Sequence, residues 1–190
     1  MNPNIPDQKN WLERLADRIP GYNGYLDCDR RRDIDKMHRE HVANRLRSLK
    51  QPLTDIARDL TRGRLMEVGV VDRATRKLDQ IENRVRFASY GYSGFFDTVK
   101  IQEQQLDAIY RFDLDLVEKV DSLEAKVRGL ESRSGESESL KSAATEIERA
   151  LDEMNRKFDE RYDAINNFGK ANTPVPPTSF YSGSNETGGV

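Results

Sequence analysis

The sequence contains little of what disulfide-bonded, metal-binding and membrane-spanning proteins depend on. A single cysteine, Cys28, excludes an intrachain disulfide and a cysteine-rich zinc site. The only two histidines, His38 and His41, lie three residues apart and close to Asp35, whereas di-metal sites in helical bundles take their ligands from several helices. No window approaches the roughly 18 consecutive apolar residues of a transmembrane helix. We therefore expect no cofactor, no metal ion and no membrane-spanning segment.

Proline is also scarce, and its placement predicts helices. All seven prolines lie before Leu53 or after Thr173, so the long span between these positions contains no residue that must break a helix. Charged residues make up 34% of the chain and hydrophobic residues 36%, a balance that suits a helical protein with much surface and a limited core. The predicted fold class is all-α, without strands.

Positive and negative charges are unevenly distributed along the chain. Residues 1–100 contain 20 Lys and Arg against 15 Asp and Glu, a net +5, while residues 101–190 contain 11 against 18, a net −7, and the two halves add up to the overall −2. Such polarity can steer a partner or favour head-to-tail self-association. In a folded bundle, the basic and acidic helices can instead lie against each other.

Two apolar runs with heptad spacing dominate the second half of the chain. Steps of three and four residues predict long helices, and a polar linker between the runs allows an antiparallel coiled-coil hairpin. Asp113 is the one polar member of the first run. The apolar members are Leu106, Ile109, Leu116, Val120, Leu123, Val127 and Leu130 in the first run, and Leu140, Ala144, Ile147, Leu151, Met154, Phe158, Tyr162 and Ile165 in the second.

A repeated motif marks two bends in the predicted bundle. Residues 21–27 (GYNGYLD), the first corner, and residues 91–97 (GYSGFFD), the second corner, share the pattern Gly-Tyr-polar-Gly-aromatic-apolar-Asp. Glycines supply positive-φ positions and the final Asp suits the start of a helix, so each copy predicts a helix–corner–helix unit. The aromatic residues of the corners either fill the core or form a paired recognition surface; they are Tyr22, Tyr25, Tyr92, Phe95 and Phe96.

These patterns divide the chain into five predicted parts. An irregular arm (1–9) precedes a helical bundle (10–131) that ends in the long heptad helix. A polar loop (132–139), a C-terminal coiled-coil helix (140–168) and a disordered tail (169–190) follow.

A basic segment follows the first corner. Arg30, Arg31 and Arg32 open it, and further cations extend it to Lys50. A helix rich in Lys and Arg can bind nucleic acid or an anionic membrane surface. Acidic residues interleave with these cations, however, and no helix joins a purely basic face to a bulky apolar one. The pattern therefore disfavours nucleic acid and, slightly more, peripheral membrane contact, and both stay as the alternative to a protein partner.

Two phrases of the sequence resemble those of an uncharacterised family of bacterial all-helical proteins with GYxGY and YGYxGFFD motifs. They are residues 19–25 (IPGYNGY) and 90–97 (YGYSGFFD), and the second is followed by Lys100, Glu103, Leu106, Tyr110, Phe112 and Asp113. The resemblance covers roughly residues 11 to 131. It implies a bacterial cytosolic origin and a domain that ends near Glu131, and it implies no activity and no binding residue.

The sequence contains no constellation that predicts catalysis. Cys28 precedes three arginines, but His38 is nearly three helical turns away from it, so the two cannot form a local dyad. We therefore expect a cytoplasmic, non-enzymatic scaffold or adaptor that binds a protein partner, or itself, through its coiled-coil arm. The alternative is binding of nucleic acid or an anionic membrane surface through the segment from Arg30 to Lys50.

Overall fold

A computed structural model describes residues 5–60, 64–88, 103–133 and 135–171 of the chain. These residues form α-helices, with one 3-10 turn at Cys28–Arg30 and no β-strand. The all-α prediction is confirmed. The helices are α1 (Ile5–Ala16), α2 (Arg31–Ser48), α3 (Lys50–Leu60), α4 (Leu65–Phe87), α5 (Glu103–Ser132) and α6 (Ser137–Ala171).

The helices α2 to α6 form a bundle that contains both antiparallel and parallel neighbours. Helices α2 and α3 run end to end and antiparallel to α4, because Lys50 on α3 reaches Asp79 and Glu82 on α4. Helix α5 runs parallel to α2, and α6 returns antiparallel to α5 and parallel to α4. Helix α4 packs against α2, α3 and α6, helix α5 packs against α1, α2, α3 and α6, and helix α6 packs against α4 and α5. Together they enclose one core. Helix α1 lies along the outside of α5.

Both heptad runs are buried inside this bundle. The apolar members from Leu116 to Leu130 and from Leu140 to Met154 are each at most 2% exposed. Helices α5 and α6 pack against each other, but α6 also packs along α4. The hairpin is therefore part of the chain's own core along its length, and the chain's own helices already cover its apolar face.

Several helix boundaries differ from the predicted ones. Helix α1 begins at Ile5, inside the segment predicted to be an irregular arm. Pro6 occupies its first turn, where a helix does not need the missing N–H group. In the sequence, Gly63 and Gly69 predict a kink or short loop between them, with the next helix from Val71 or from Asp72 as its cap. Helix α4 instead begins at Leu65 and contains Gly69. A Cβ atom at Gly69 would meet nothing within 4 Å, so this glycine marks no close packing.

The hairpin connection is shorter than predicted and the last helix is longer. Helix α5 ends at Ser132 and α6 begins at Ser137, so only residues 133–136 lie between the two helices, where the sequence predicted a loop over residues 132–139. Helix α6 continues to Ala171, three residues beyond the predicted end. The predicted tail beyond it lies outside the described residues.

The oppositely charged halves of the chain lie against each other. On one side of the bundle, cations of α1, of the segment directly after it and of α2 pair with acids of α5. On another side, cations of α4 pair with acids of α6. These side chains are partly exposed, so each pair stabilises the fold by at most about 1 kcal/mol. The pairs are Arg14–Glu118, Arg18–Asp121, Arg45–Asp121, Arg45–Glu124, Arg73–Glu148, Lys77–Asp152 and Arg84–Asp159.

Candidate functional site

The first corner turns its two tyrosines into the core. Gly21 and Gly24 have φ angles of +81° and +79°, a backbone conformation that residues with a side chain rarely adopt. A Cβ atom at Gly24 would lie 2.6 Å from the Tyr110 hydroxyl. The backbone N–H of Tyr25 donates a hydrogen bond to that hydroxyl at 2.9 Å. The glycines therefore allow the corner to press against α5, and Tyr22 and Tyr25 are 4% and 0% exposed.

Asp113 on α5 is the acceptor for both tyrosine hydroxyls. Its Oδ2 accepts hydrogen bonds from the hydroxyls of Tyr25 at 2.6 Å and Tyr22 at 3.1 Å. Its Oδ1 accepts a hydrogen bond from Nε of Arg161 on α6 at 2.6 Å. Asp113 and Arg161 are both 0% exposed. A carboxylate at the centre of the core thus joins the first corner to two long helices.

Arg161 joins α2 to the same cluster. Its Nη2 donates to Oδ1 of Asp35 at 2.8 Å and to the Tyr25 hydroxyl at 3.2 Å. The other oxygen of Asp35 accepts a hydrogen bond from Nε of Arg39 at 2.7 Å, and Arg39 Nη1 donates to the backbone oxygen of Arg86 at 2.9 Å. The first corner, α2, α4, α5 and α6 are therefore connected by one continuous set of hydrogen bonds.

His38 completes what we call the buried polar cluster: Tyr22, Tyr25, Asp35, His38, Arg39, Asp113 and Arg161. Its Nε2 lies 3.1 Å from the backbone oxygen of Asp113, so Nε2 carries the proton and donates. Its Nδ1 lies 3.6 Å from Oδ1 of Asp113 and has no hydrogen-bond partner among the described residues. The ring is 1% exposed. His38 is therefore held neutral, with its free lone pair facing a carboxylate oxygen.

The pKa directions follow from burial and from these contacts. Burial lowers the pKa of His38 below its ordinary value, because the charged imidazolium would lose its hydration. Burial alone would raise the pKa of Asp113, but the charge of Arg161 and the hydrogen bonds from Arg161 and Tyr25 outweigh it, and the pKa of Asp113 is lowered. The pKa values of Tyr22 and Tyr25 are raised well above the usual value, and burial is the largest cause. The negative charge of Asp113 nearby also raises them.

This arrangement suits the specification of a fold better than a reaction. The carboxylates of Asp35 and Asp113 balance the guanidinium groups of Arg39 and Arg161, and the core surrounds all four side chains. Buried charges are tolerated when each is paired and hydrogen-bonded, as here. Two grooves between described helices lie elsewhere on the surface. One, of about 290 Å³, lies between α4 and α6, and the other, of about 330 Å³, lies between α5 and α6.

The residues predicted as interaction sites differ in how exposed they are. Tyr22 and Tyr25 are in the core, as the core-filling alternative expects, and they are not on a surface that a partner could reach. Arg31 is also buried, and its Nε donates to the backbone oxygen of Tyr25 at 2.8 Å. Arg30 and Arg32 are exposed. The residues of the second corner, Tyr92, Phe95 and Phe96, lie outside the described residues.

Much of the basic segment faces acids of its own chain. Arg45 pairs with Asp121 and Glu124 of α5 at 2.6 and 2.9 Å. Lys50 pairs with Asp79 and Glu82 of α4 at 2.6 and 3.1 Å. Two further cations of the segment lie against acids of α2 itself: Arg39 is bound to Asp35, and Lys36 is close to Glu40. These intramolecular pairs reduce the positive field that a phosphate backbone or an anionic membrane would meet.

Sequence reasoning identified part of the buried polar cluster. Asp113 was visible as the polar member of a heptad run, but its partner Arg161 was missed. A signal for Arg161 exists, because it follows Met154 by seven residues and precedes Ile165 by four, so it shares the buried side of α6. His38 likewise lies four residues from both Ile34 and Val42, which are buried. The available signal was thus a charged residue at a core position on each of the two long helices, Asp113 on α5 and Arg161 on α6.

Large exposed apolar side chains mark both ends of the bundle. Leu65 and Met66, which we call the tip pair, are 75% and 80% exposed in the first turn of α4. They lie near the hairpin connection, because the next residue, Glu67, accepts a hydrogen bond from the hydroxyl of Ser137. Leu26 and Phe87, at 68% and 66% exposed, are near the opposite end.

Comparison with known proteins adds no further constraint. Searches against protein-family models, curated proteins and solved structures find no match, so the resemblance to a bacterial family stays a prediction. Within the described ranges, no group of three or more His, Cys, Asp and Glu side chains is placed to hold a metal ion. None of the helices described is both long enough and apolar enough to cross a membrane.

Proposed function

We propose that this protein is a non-enzymatic helical scaffold or adaptor that binds a protein partner at the hairpin end of its bundle. The observation that carries the proposal is the tip pair. Leu65 and Met66 are consecutive and more than 70% exposed, in a helix that buries Val71, Ala74 and Leu78 completely or nearly so. Covering a Leu or Met side chain with a partner contributes about 1.5–3 kcal/mol. The tip pair could therefore supply much of the binding free energy of a contact surface for a partner.

The residues around the tip pair suit the rim of such a surface. Ser132, Arg133, Glu136 and Glu138 are exposed at the hairpin connection and carry charges of both signs. Protein interfaces commonly place apolar anchors inside a polar rim. Because the chain's own helices cover the heptad runs, a partner would contact the tip and the outer faces of the hairpin rather than its apolar seam. Self-association through the same tip is one form of this proposal.

The proposed location is the cytoplasm. A chain with one cysteine gains no stability from disulfides and has no need of an oxidising compartment. The ion pairs and the buried polar cluster supply the crosslinks between helices instead.

The test compares the two ends of the bundle. The double variant Leu65→Ser, Met66→Ser removes the tip pair, and the matched control Leu26→Ser, Phe87→Ser removes exposed apolar side chains elsewhere. We expect both variants to melt like the parent protein, because none of these side chains is in the core. Only the tip variant should lose self-association in light scattering, or lose the partners recovered by affinity purification of the tagged full chain. Equal binding by both variants, or a monomer with no partner sensitive to the tip pair, contradicts the proposal.

A further inference from the structure

We propose that the buried polar cluster is a proton-operated latch, in which protonation of His38 loosens the C-terminal part of α6 from the bundle. This inference goes beyond partner binding, since it concerns how the fold responds to its surroundings. It rests on the one nitrogen of His38 that the described residues leave without a hydrogen bond, and on the residue that this nitrogen faces.

The first step is a competition for one oxygen atom. In neutral His38, Nε2 donates to the backbone oxygen of Asp113 at 3.1 Å, and Nδ1 faces Oδ1 of Asp113 at 3.6 Å. A proton added at Nδ1 therefore points toward Oδ1. That same oxygen accepts the 2.6 Å hydrogen bond from Nε of Arg161. The protonated ring of His38 and the guanidinium of Arg161 would then both donate to Oδ1 of Asp113, which accepts only from Arg161 when His38 is neutral.

The second step is the charge of the surrounding groups. With His38 neutral, the carboxylates of Asp35 and Asp113 match the guanidinium groups of Arg39 and Arg161, and Arg31 is a further buried cation beside Tyr25. A proton added to His38 therefore adds positive charge to a buried cluster that has no spare carboxylate, which is costly. On α4, Glu82 and Arg86 pair with each other at 2.6 Å. The other titratable and charged groups around His38 are Asp35 and His41 on α2, Tyr22 and Tyr25 in the first corner, Asp113 on α5 and Arg161 on α6.

The third step is the dependence of one part of α6 on a charged pair. Between Ser137 and Leu151 this helix is held by apolar residues only, Leu140, Ala143, Ala144, Ile147 and Leu151. Between Met154 and Ile165 it buries the charged Arg161 among Met154, Phe158 and Ile165. The packing of this second segment therefore requires that the charge of Arg161 stays compensated inside the core. When protonated His38 contests the bond between Arg161 and Asp113, this segment is the one released.

The direction with pH follows from burial. Because burial lowers the pKa of His38 in the folded state, the opened state binds a proton more readily. The docked state therefore loses stability as pH falls below about 6.5, the value of an exposed imidazole, and the loss continues down to the folded pKa. Asp113, whose pKa is lowered by its partners, stays ionised in this window. The latch opens on mild acidification and closes at neutral pH.

The test is hydrogen exchange of the full chain, read by mass spectrometry at about pH 7.5 and about pH 5.5 and corrected for intrinsic exchange rates. Peptides from residues 154–165 should lose protection several-fold at the lower pH, while those from residues 140–151 change little. His38→Gln, which keeps an amide donor and cannot be protonated, should remove the difference. His41→Gln, at the other histidine of the chain, should keep it.

Three outcomes overturn the latch: no pH effect on residues 154–165, an effect that persists in His38→Gln, or an equal loss across all helices. If His38→Gln does not fold, the two imidazoles of the unmodified protein are followed by NMR across the same pH range. Opening of residues 154–165 must then track the titration of His38. An opening that tracks His41 alone contradicts the proposal.

Discussion

Different interactions hold the two ends of this bundle together: apolar packing at one end and a buried ion pair at the other. Toward the hairpin connection, α5 and α6 meet through apolar side chains such as Leu123, Val127 and Ile147, each at most 2% exposed. Toward the first corner, the same two helices meet through Asp113 and Arg161, with a hydrogen bond of 2.6 Å. Apolar layers stabilise without direction, and a shift by one heptad would leave many of their contacts in place. The same shift would separate Asp113 from Arg161 and bury two unpaired charges.

The comparison indicates a division of labour. The apolar end supplies favourable burial, and the polar end makes one alignment of the helices much better than its alternatives. A buried ion pair adds little net stability compared with apolar residues of the same volume, but removing one partner from it is costly. The polar end should therefore be the more sensitive to single substitutions.

The largest expected effect comes from removing the charge of Arg161. Arg161→Met leaves Asp113 and Asp35 buried without one of their cations, so the free energy of unfolding should fall by about 3–5 kcal/mol. Urea denaturation measures it. Arg149→Met, on the exposed side of the same helix, is the matched control and should change stability by less than about 0.5 kcal/mol. Similar losses in the two variants would show that the polar end does not have the role described.

A smaller effect is expected from the hydroxyl of Tyr25. Tyr25→Phe keeps the ring, which stacks on Tyr110 at a centroid distance of 5.7 Å, and removes the donor to Asp113. Loss of a hydrogen bond to a buried charged group should cost about 1.5–3 kcal/mol. At the apolar end, Ile147→Val removes one methyl group and should cost about 0.5–1.5 kcal/mol. Thermal melts of both variants compare the ends directly, and a larger loss in Ile147→Val reverses the comparison.

The smallest effect has the opposite sign. Gly129 lies within α5 near the hairpin connection, and a Cβ atom there would meet nothing within 4 Å. Gly129→Ala should therefore stabilise the fold by about 0.5–1 kcal/mol, because alanine loses less conformational entropy in a helix. The same change at Gly24, with its φ of +79° and its contact with Tyr110, should destabilise. A destabilised Gly129→Ala would indicate that the apolar end packs more tightly than described.

Spacing along the sequence predicted the long helices and their antiparallel pairing, because apolar periodicity is a local signal. It did not predict which polar residues would meet. Arg161 and Asp35 are 126 residues apart, and nothing local indicates that they are partners. It also placed the start of α4 at Val71 or Asp72 and not at Leu65, although a single glycine such as Gly69 costs a helix only about 1 kcal/mol. The burial of α6 against α4 depended on the whole bundle, which no single stretch encodes.

The reach of Arg161 across the chain has a consequence for the order of folding. Its bond to the Tyr25 hydroxyl spans 136 residues and its bond to Asp35 spans 126. On the ribosome, the first corner and α2, with Asp35 and its local partner Arg39, therefore emerge long before Arg161 exists. Contacts of such sequence separation form late, because the intervening chain must first be ordered or looped out. The nascent protein cannot close its core until its last helix has been made, so a ribosome that stalls before residue 161 holds a chain with Asp35 and Asp113 still lacking that partner.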